Sequence, residues 1–310
     1  MNGSVPGGPG GEGIPSCAPG QQERRELLHV DCASHVYPDG TRGIHELCFR
    51  VYEGEIVALC GPNGAGKSTL IEHLNGLLQP SSGRVTVLGK ETGGKGGAEL
   101  WRFVGVVFQR SDDQLFAPTV LDDVMFGPLN LGLPPDQATR RARDALAAVG
   151  APDLEGKMPA YLSGGQKRLV AIAGILAMDP LIIAFDEPTS DLDPVHGAVI
   201  EGIIRDLRDR RGKSVVLATH DLDLASRIAD RVCLVKGGSL IADGSPREIF
   251  YNQDLLKAAG LLEPAPVRFF RDLCREYGIE TMDRPLTLEE ISRSPVFSRY
   301  GEGSGRKKLE

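Results

Sequence analysis

A glycine-rich stretch, GPNGAGKST at residues 61–69, has the residue types and spacing of a phosphate-binding loop. It fits the pattern G-x-x-x-x-G-K-[S/T] and lies between an apolar run and a helical pattern, a context that disfavours a chance glycine-rich turn. Glycines let backbone N–H groups point at phosphate oxygens, and the helix N-terminus adds partial positive charge. Lys67 can reach the β- and γ-phosphates of a nucleotide, and the Ser68 hydroxyl can ligate Mg²⁺. The predicted phosphate-binding residues are Gly61, Pro62, Asn63, Gly64, Ala65, Gly66, Lys67, Ser68 and Thr69.

Two adjacent carboxylates, Asp186 and Glu187, end the apolar run LIIAFDEP. Adjacent residues of a strand point to opposite faces, so we expect the two acids to have different roles. Asp186 suits the Mg²⁺ shell of a nucleotide site, and Glu187 suits the general base that activates an attacking water. The alternative is two acids that cap a strand in solvent.

His220 and Tyr37 are single residues whose positions favour a role in the same site. His220 follows the apolar run SVVLAT, at the sheet edge where ligands bind in α/β folds. It can hydrogen-bond a γ-phosphate and orient the water, although a lone histidine is more often structural. Tyr37 follows the first strand pattern and can stack on an adenine ring, the alternative being ordinary packing.

The pentapeptide LSGGQ, residues 162–166, opens the helical pattern QKRLVAIAGILAM. Ser163 suits an N-cap, and the bare glycine backbone that follows offers a second anion site. Taken alone, the pentapeptide is only a helix cap. The sequence thus presents two phosphate-binding loops, on different subdomains, for one nucleotide pocket.

Hydrophobic patterning predicts the elements that hold these residues. Alternating runs before residue 60 predict strands joined by the turn PDGTRG. The short continuous runs in LIIAFDEP and SVVLAT suit buried parallel strands. PDQATRRARDALAAVG predicts an amphipathic helix that stops at Gly150, and RVCLVKGGSLIADG predicts a late hairpin.

The bulk composition narrows the class of protein. The 41% hydrophobic and 25% charged residues are typical of a soluble globular chain, and the net charge of −7 argues against a nucleic-acid partner. The six cysteines lack metal-like spacing, which favours reduced thiols in a cytosolic protein. No apolar run is long enough to span a bilayer, so any membrane role would be peripheral.

Three parts of the chain are expected. Residues 1–24 are rich in Gly and Pro and are predicted to be disordered. Residues 25–260 are predicted to form one nucleotide-binding α/β domain, with a helical subdomain at about 110–175. Residues 261–310 are predicted to form a helical extension, which either pairs with a second subunit or packs on its own domain.

The motifs together resemble the ATP-binding subunits of ABC transporters, over about residues 26–260. Six features in this order carry the resemblance, namely Tyr37, GPNGAGKST, Gln109, LSGGQ, LIIAFDEP with SDLDP, and His220. It implies a P-loop NTPase core whose mostly parallel sheet is flanked by helices, with an antiparallel β subdomain and a helical subdomain. It also implies ATP and Mg²⁺ as cofactors.

The same resemblance assigns roles to residues that local reasoning leaves open. Gln109 is implied to contact Mg²⁺ and the attacking water, and Asp193 to couple conformations beside the bound nucleotide. Two subunits are implied to meet head to tail, so that the signature loop of one binds the ATP of the other. The implied signature-loop residues are Ser163, Gly164, Gly165 and Gln166.

A narrower resemblance, to the ATPases of energy-coupling factor importers, rests on VVFQRSDDQLFAPTVLDDVMFGPLNLGLP, AIAGILAMDP and RPLTLEE. It implies a peripheral subunit at the cytoplasmic face of the cell membrane. The implied partners are a transmembrane coupling subunit, a substrate-capture membrane protein and a second ATPase subunit, with a homodimer favoured. Cobalt or nickel is the favoured substrate, and a vitamin is the alternative. Leu115 and Phe116 would offer an apolar tip to the membrane subunit unless they pack into their own domain.

Two positions depart from the family pattern. Leu169 stands where arginine is common, with Arg168 one place earlier, a rotation of about 100° on a helix. Asp191 stands in SDLDP where glycine, alanine or serine is commoner. We expect reduced rather than lost ATP turnover from either. The rival classes are a soluble ABC ATPase acting on ribosomes or DNA, a nucleotide-binding regulatory module, and the ATPase of another type of ABC transporter.

Overall fold

The structure, a computed structural model, describes residues 24–91 and 99–296 of the 310-residue chain. The disorder expected for residues 1–24 therefore lies outside the described residues, except at residue 24. The end of the extension expected at residues 261–310 also lies outside them, beyond residue 296.

The described chain contains runs of strands and of helices, with single strands and helices alternating over residues 182–236. The strands are β1 (Glu26–Val36), β2 (Arg42–Tyr52), β3 (Ile56–Cys60), β4 (Ser82–Val87), β5 (Lys90–Glu91), β6 (Val104–Val107), β7 (Ile182–Asp186), β8 (Ser214–Thr219), β9 (Arg231–Lys236) and β10 (Ser239–Gly244). The helices are α1 (Lys67–Leu74), α2 (Val120–Asn130), α3 (Pro135–Ala148), α4 (Gly164–Met178), α5 (Pro194–Asp209), α6 (Leu222–Ile228), α7 (Pro246–Phe250), α8 (Gln253–Ala259), α9 (Ala265–Glu276) and α10 (Leu288–Arg293).

The strands form two sheets with different pairing. The smaller sheet is antiparallel, in the order β2-β1-β4-β5. The larger sheet has the order β10-β9-β3-β8-β7-β6, and its pairs are parallel except for the β9–β10 hairpin at one edge. Every residue of β3, β6, β7 and β8 is buried, which explains why these strands have continuous apolar sequences. The α/β class and the late hairpin predicted from the sequence are confirmed.

Helices α2, α3 and α4 pack against one another between β6 and β7 in the chain. Helix α3 buries one face, made of Ala138, Ala142, Ala145 and Leu146, as its amphipathic pattern predicts. The chain turns out of this helix at Gly150, whose φ of 74° suits a residue without a Cβ. This three-helix packing carries LSGGQ at the start of α4.

The C-terminal segment packs on its own domain along one side. Val267 of α9 and Leu286 lie in the same buried cluster as Leu222 and Phe250. Phe270 forms a smaller cluster with residues of and after α10. The segment also exposes apolar side chains, which include Phe269, Tyr277, Met282 and Leu288.

The five cysteines within the described residues are free thiols. Two of them face each other across β1 and β2, where Cys32 Sγ and Cys48 Sγ lie 2.9 Å apart. The hydrogen bond from Cys48 raises the pKa of Cys32 to about 11. Because the thiolate is the reactive form, Cys32 is a poor nucleophile at neutral pH.

A buried ion pair joins the two sheets. Arg231, at the start of β9, is 7% exposed, and its Nη1 lies 3.2 Å from Oε1 of Glu55, which is 1% exposed. The Arg231 guanidinium also donates to the carbonyl oxygen of Arg50 in β2. Burial raises the pKa of Glu55, and the charge of Arg231 opposes that shift. Arg231 therefore keeps a buried carboxylate compensated where β2 meets β9.

Replacing Arg231 with methionine should lower the free energy of unfolding by about 3–5 kcal/mol, because Glu55 is left buried without its counter-charge. The matched control is Arg210→Met, since Arg210 is 84% exposed and pairs with Asp206. That change should cost less than about 1 kcal/mol. Urea unfolding followed by circular dichroism measures both, and equal losses in the two variants would contradict the assignment.

Candidate active site

The phosphate-binding loop connects β3 to α1, and two of its glycines are required by close backbone contacts. A Cβ on Gly61 would lie 2.3 Å from the carbonyl oxygen of Val235. A Cβ on Gly66 would lie 2.4 Å from the carbonyl oxygen of Gly43, and its φ of 103° also disfavours a side chain. These contacts seat the loop between the two sheets, at the carboxyl end of β3.

Lys67 lies inside this loop. The side chain is 6% exposed, and its Nζ donates hydrogen bonds to the carbonyl oxygens of Gly61 at 2.8 Å and Pro62 at 3.2 Å. The same nitrogen lies 3.4 Å from Oε1 of Glu187. The ammonium therefore stands between the loop backbone and the first carboxylate beyond β7.

Glu187 lies just past the end of β7 and not within the strand. Its φ of 46° is left-handed, and its backbone N–H donates to the carbonyl oxygen of Ala218 at 2.9 Å. The expectation that strand alternation separates Asp186 from Glu187 was therefore wrong. The left-handed backbone conformation of Glu187 itself, and not the pleat of the strand, sets the direction of its carboxylate.

The Glu187 carboxylate is 8% exposed, and only its Oε2 is hydrogen-bonded, whereas its buried Oε1 has no hydrogen-bond partner among the described residues. Oε2 lies 2.9 Å from Nδ1 of His220 and accepts from the Thr219 hydroxyl at 3.3 Å. Oε1 faces Lys67 at 3.4 Å. A carboxylate and a histidine at the ends of adjacent parallel strands are thus in contact, and neither this contact nor the one with Thr219 was predicted from the sequence.

Asp186 is buried beside this carboxylate and is partly unpaired. Burial raises the pKa of Asp186, while a hydrogen bond from Ser68 lowers it. Its Oδ1 is buried and, among the described residues, has no hydrogen-bond partner. An unpaired carboxylate oxygen next to a serine hydroxyl is a donor set that suits a hard cation such as Mg²⁺.

Gln109 follows β6 and is exposed. Its backbone is held by Arg168 of α4, a buried side chain that donates to the carbonyl oxygen of Phe108 at 2.5 Å and to that of Gln109. Leu169, which replaces the arginine common in the family, packs half-buried in the apolar cluster of the helical part. The arginine at position 168 therefore anchors the segment that begins with Gln109.

The signature loop forms the cap of α4. Ser163 and Gln166 make a reciprocal capping box, in which Gln166 N donates to Ser163 Oγ at 3.3 Å and Ser163 N donates to Gln166 Oε1 at 3.1 Å. The predicted N-cap is confirmed. A Cβ would meet open space at Gly164, but at Gly165 it would lie 2.4 Å from the ring of His196.

Asp193 caps α5 and binds that histidine. Its Oδ1 accepts from the backbone N–H of Val195 and of His196, both at 3.0 Å, and its Oδ2 lies 2.5 Å from His196 Nδ1. The hydrogen bonds from His196 lower the pKa of Asp193. His196 therefore joins Asp193 to Gly165, a role that no sequence motif indicated. Asp191, two residues earlier, has a φ of 61°, which explains why glycine is favoured at its position.

Tyr37 is half-buried beside the phosphate-binding loop, and its hydroxyl is 3.0 Å from Oγ1 of Thr69. The predicted residues thus fall into two groups of contacts. One group lies around the carboxyl ends of β3, β7 and β8 and consists of Tyr37, the phosphate-binding loop, Asp186, Glu187 and His220. The other group lies at the starts of α4 and α5, where the hydrogen bonds described for Ser163, Gln166 and Asp193 stay within their own segments.

Leu115 and Phe116, which the sequence analysis paired as an apolar tip, differ in their exposure to solvent. Phe116 is 66% exposed, and its ring lies edge-on to Phe126 with centroids 4.8 Å apart. Leu115 is half-buried against the helical cluster, so its assignment to the tip was wrong. Asp123 fixes the loop by accepting from the backbone N–H of Phe116 and Ala117 at 3.2 and 3.0 Å.

A phosphate loop that faces two acids and a histidine across parallel strands defines the class of P-loop nucleoside-triphosphate hydrolases. The family model described as ABC transporter matches residues 44–190. Over 262 residues the chain is 44% identical to the energy-coupling factor transporter ATP-binding protein EcfA of Methanocaldococcus jannaschii, an overlap of 84% of this chain and 93% of that protein.

Two solved structures extend the comparison. The structure of cbiO1 from Clostridium perfringens, part of the ABC transporter complex cbiONQ, is 37% identical over 75% of this chain and 94% of its own, with a TM-score of 0.67. A dimeric ATP-binding cassette in a post-hydrolysis state, bound to ADP and Pi, is 29% identical over 71% of this chain and 99% of its own, with a TM-score of 0.64.

The chain belongs to the ABC transporter family, as an ATP-binding subunit of the energy-coupling factor type. It is an ATPase with the fold of an ABC cassette, as its motifs predicted. Within residues 24–91 and 99–296, no helix has the length and apolar character needed to span a bilayer.

Replacing Gly165 with alanine should lower the free energy of unfolding by about 1–3 kcal/mol, because the new methyl group overlaps the His196 ring. Its neighbour provides the control, since Gly164→Ala meets no atom within 4 Å. That variant should keep or gain up to about 1 kcal/mol through better helix propensity. Denaturant unfolding of both proteins measures the difference, and the same change in both would exclude the contact with His196 as the cause.

Proposed function

We propose that this chain is the ATP-hydrolysing subunit of an energy-coupling factor importer, in which Glu187 is the general base. The observation that supports this best is the environment of one carboxylate. Glu187 is 8% exposed and lies between Lys67 at 3.4 Å and His220 at 2.9 Å, at the carboxyl ends of parallel strands. A desolvated carboxylate held by two cationic or hydrogen-bonding groups has a fixed direction from which to take a proton.

The steps assigned to the chain's own residues follow from their present contacts. When ATP binds, Lys67 leaves the carbonyl oxygens of Gly61 and Pro62 and contacts the β- and γ-phosphates instead. Glu187 accepts a proton from the attacking water, and His220 holds the Glu187 carboxylate and the γ-phosphate in register. Tyr37, fixed through Thr69, packs on the adenine.

Mg²⁺ fits the residues around Asp186. Ser68, Gln109 and Asp186 offer hydroxyl, amide and carboxylate oxygens, and the buried Oδ1 of Asp186 has no hydrogen-bond partner among the described residues. When bound, the ion neutralises charge that develops between the β- and γ-phosphates. The protein's part is to hold Ser68 and Asp186 together and to keep Gln109 in place through Arg168.

A second copy of the chain, placed head to tail, would complete the site. The signature residues Ser163, Gly164, Gly165 and Gln166 bind ATP in this scheme from the partner. Support comes from the separation of the two groups of contacts within one chain, and from the dimeric state of a similar cassette bound to ADP and Pi. Asp193 and His196 then tie each signature loop to the segment that follows Glu187.

Replacing Glu187 with glutamine should lower ATP turnover at least about 100-fold, because the amide cannot accept the proton of the water. Because ATP binding should persist, the variant protein should accumulate as stable dimers in the presence of ATP. Light scattering after size-exclusion chromatography measures the dimers. Glu155→Gln is the control, because Glu155 is a surface residue paired with Arg143. A Glu187→Gln protein that stays monomeric with ATP would show that the role is misassigned.

The membrane partner is proposed to dock on the apolar face formed by Phe116, Phe126 and Leu129, which are 66%, 49% and 42% exposed. This face lies on the loop after Gln109 and on α2, so it can follow changes at the nucleotide. A transmembrane coupling subunit would present an apolar helix to such a face. The chain is then a peripheral subunit at the cytoplasmic face of the membrane, with a substrate-capture protein in the same complex.

Changing Phe116 and Phe126 together to serine should abolish uptake while ATP hydrolysis by the isolated chain stays within about twofold of normal, because the change removes the docking face and spares the nucleotide site. The control is Leu288→Ser, a 62% exposed side chain on α10. Uptake in cells that carry each variant, with hydrolysis by the purified protein, measures the two effects. Normal uptake by the double variant would exclude this face as the dock.

Cobalt or nickel is the proposed cargo, and a vitamin is the alternative within the same transporter type. The preference rests on the resemblance to systems in which one ATPase gene serves as a homodimer. Cells that lack the gene should lose uptake of labelled cobalt or nickel and regain it with the wild-type gene. Loss of vitamin uptake alone would favour the alternative.

A further inference from the structure

The position of His220 depends on the helix that follows it. Strand β8 ends at Thr219, and α6 begins at Leu222, with Asp221 as its N-cap. Asp221 N donates to Thr219 Oγ1 at 2.9 Å, and Asp221 Oδ1 accepts from Leu224 N at 2.9 Å. Because only His220 and Asp221 connect β8 to α6, a shift of α6 would change the orientation of the His220 ring relative to Glu187.

The C-terminal extension is bonded to this helix through an unusual cap. Helix α9 has Pro264 at its N-cap position, and proline has no side chain that can accept the free N–H groups of the first turn. Asp223, in the first turn of α6, supplies the acceptor instead. Its Oδ1 accepts from the backbone N–H of Ala265 at 2.6 Å, and its charge favours the positive end of the α9 dipole.

Two further contacts hold the same two elements together. Ser226 of α6 donates to the carbonyl oxygen of Leu286 at 3.3 Å, in a buried position. Leu222, the first residue of α6, lies in one buried apolar cluster with Val267 of α9 and with Leu286. The extension therefore contacts α6 at Leu222, Asp223 and Ser226.

The segment that leads into α9 also borders the nucleotide site. A cleft of about 410 Å³ is lined by Asn63 of the phosphate-binding loop and by His220. Leu262, Glu263 and Pro264 also line this cleft. The start of the extension and His220 thus line the same cleft.

We infer that the C-terminal extension positions His220 for hydrolysis, and that the hydrogen bond between Asp223 and Ala265 is the contact that transmits the position. The inference rests on the role proposed for His220 at the γ-phosphate. Asp223 is a positioning residue, because it acts on the nucleotide only through α6 and His220. Any partner that moves α9 would thereby change the rate of hydrolysis without touching ATP.

The two sides of the contact can be removed separately. Asp223→Ala deletes the acceptor, and Asp223→Asn keeps an oxygen acceptor at the same place. Ala265→Pro deletes the donor without straining the helix, because proline is accepted at the first helical position and the residue before it, Pro264, is already extended with φ −51° and ψ 141°. Asp144→Ala, at an exposed position on α3, is the matched control.

ATP hydrolysis and nucleotide binding are measured on the full-length proteins, with a fluorescent ATP analogue for the dissociation constant. Asp223→Ala and Ala265→Pro should each lower kcat about tenfold with an unchanged dissociation constant, as expected for loss of one hydrogen bond to a charged group. The double variant should lose no more than either single one, since both remove the same contact. Asp223→Asn and Asp144→Ala should stay within about twofold of the wild-type kcat.

The outcomes that overturn the inference are distinct from those that overturn the proposed function. A wild-type kcat in both Asp223→Ala and Ala265→Pro, additive losses in the double variant, or a parallel rise in the dissociation constant would each reject the positioning role. His220→Ala, assayed alongside, tests the underlying assignment. If it hydrolyses ATP at the normal rate, the role of His220 is wrong, whereas an inactive His220→Ala with a normal Asp223→Ala rejects only the link to the extension.

Discussion

The Glu187 carboxylate, buried at the carboxyl ends of three parallel strands, is the group on which the rest of the site depends. A buried carboxylate is costly unless its neighbours compensate for it, and here the compensation comes from Lys67, Thr219 and His220. These residues reach it from α1 and from the end of β8, so the register of the sheet must be kept. Cys60 of β3 pairs with Thr219, and a slip of one residue would move His220 by about 3.3 Å.

Helix starts and close glycine contacts tie more distant parts of the chain to this centre. Arg168, on the first turns of α4, holds the backbone carbonyls of Phe108 and Gln109, so the helical part is attached to the segment that follows β6. The departure from the family pattern at Leu169 therefore does not leave this region without an arginine. His196 similarly connects Gly165 to Asp193, which links the signature loop with the chain that leaves Glu187.

Much of the fold and site was predictable because the relevant signals are local. The continuous apolar runs of β7 and β8 identified buried parallel strands, and the spacing of glycines, lysine and serine identified the loop between β3 and α1. The prediction from strand alternation was wrong at Glu187, because this residue has a left-handed backbone where the chain leaves the sheet beside β8. Leu115 was misplaced for a similar reason, since an apolar residue in a loop carries no local sign of whether a nearby helix covers it.

The sequence by itself determined the chemistry of the phosphate-binding loop, the capping box of Ser163 and the class of fold, since each depends on residues close together in the chain. Only the tertiary structure decided which groups surround Glu187 and which carbonyls Arg168 binds. The partners of Glu187 are at least 32 residues away in the chain, and those of Arg168 at least 59. The contact between Asp223 and Ala265 spans 42 residues and joins two unrelated sequence patterns. Such contacts follow from the packing of α6 against the extension, which no local pattern encodes.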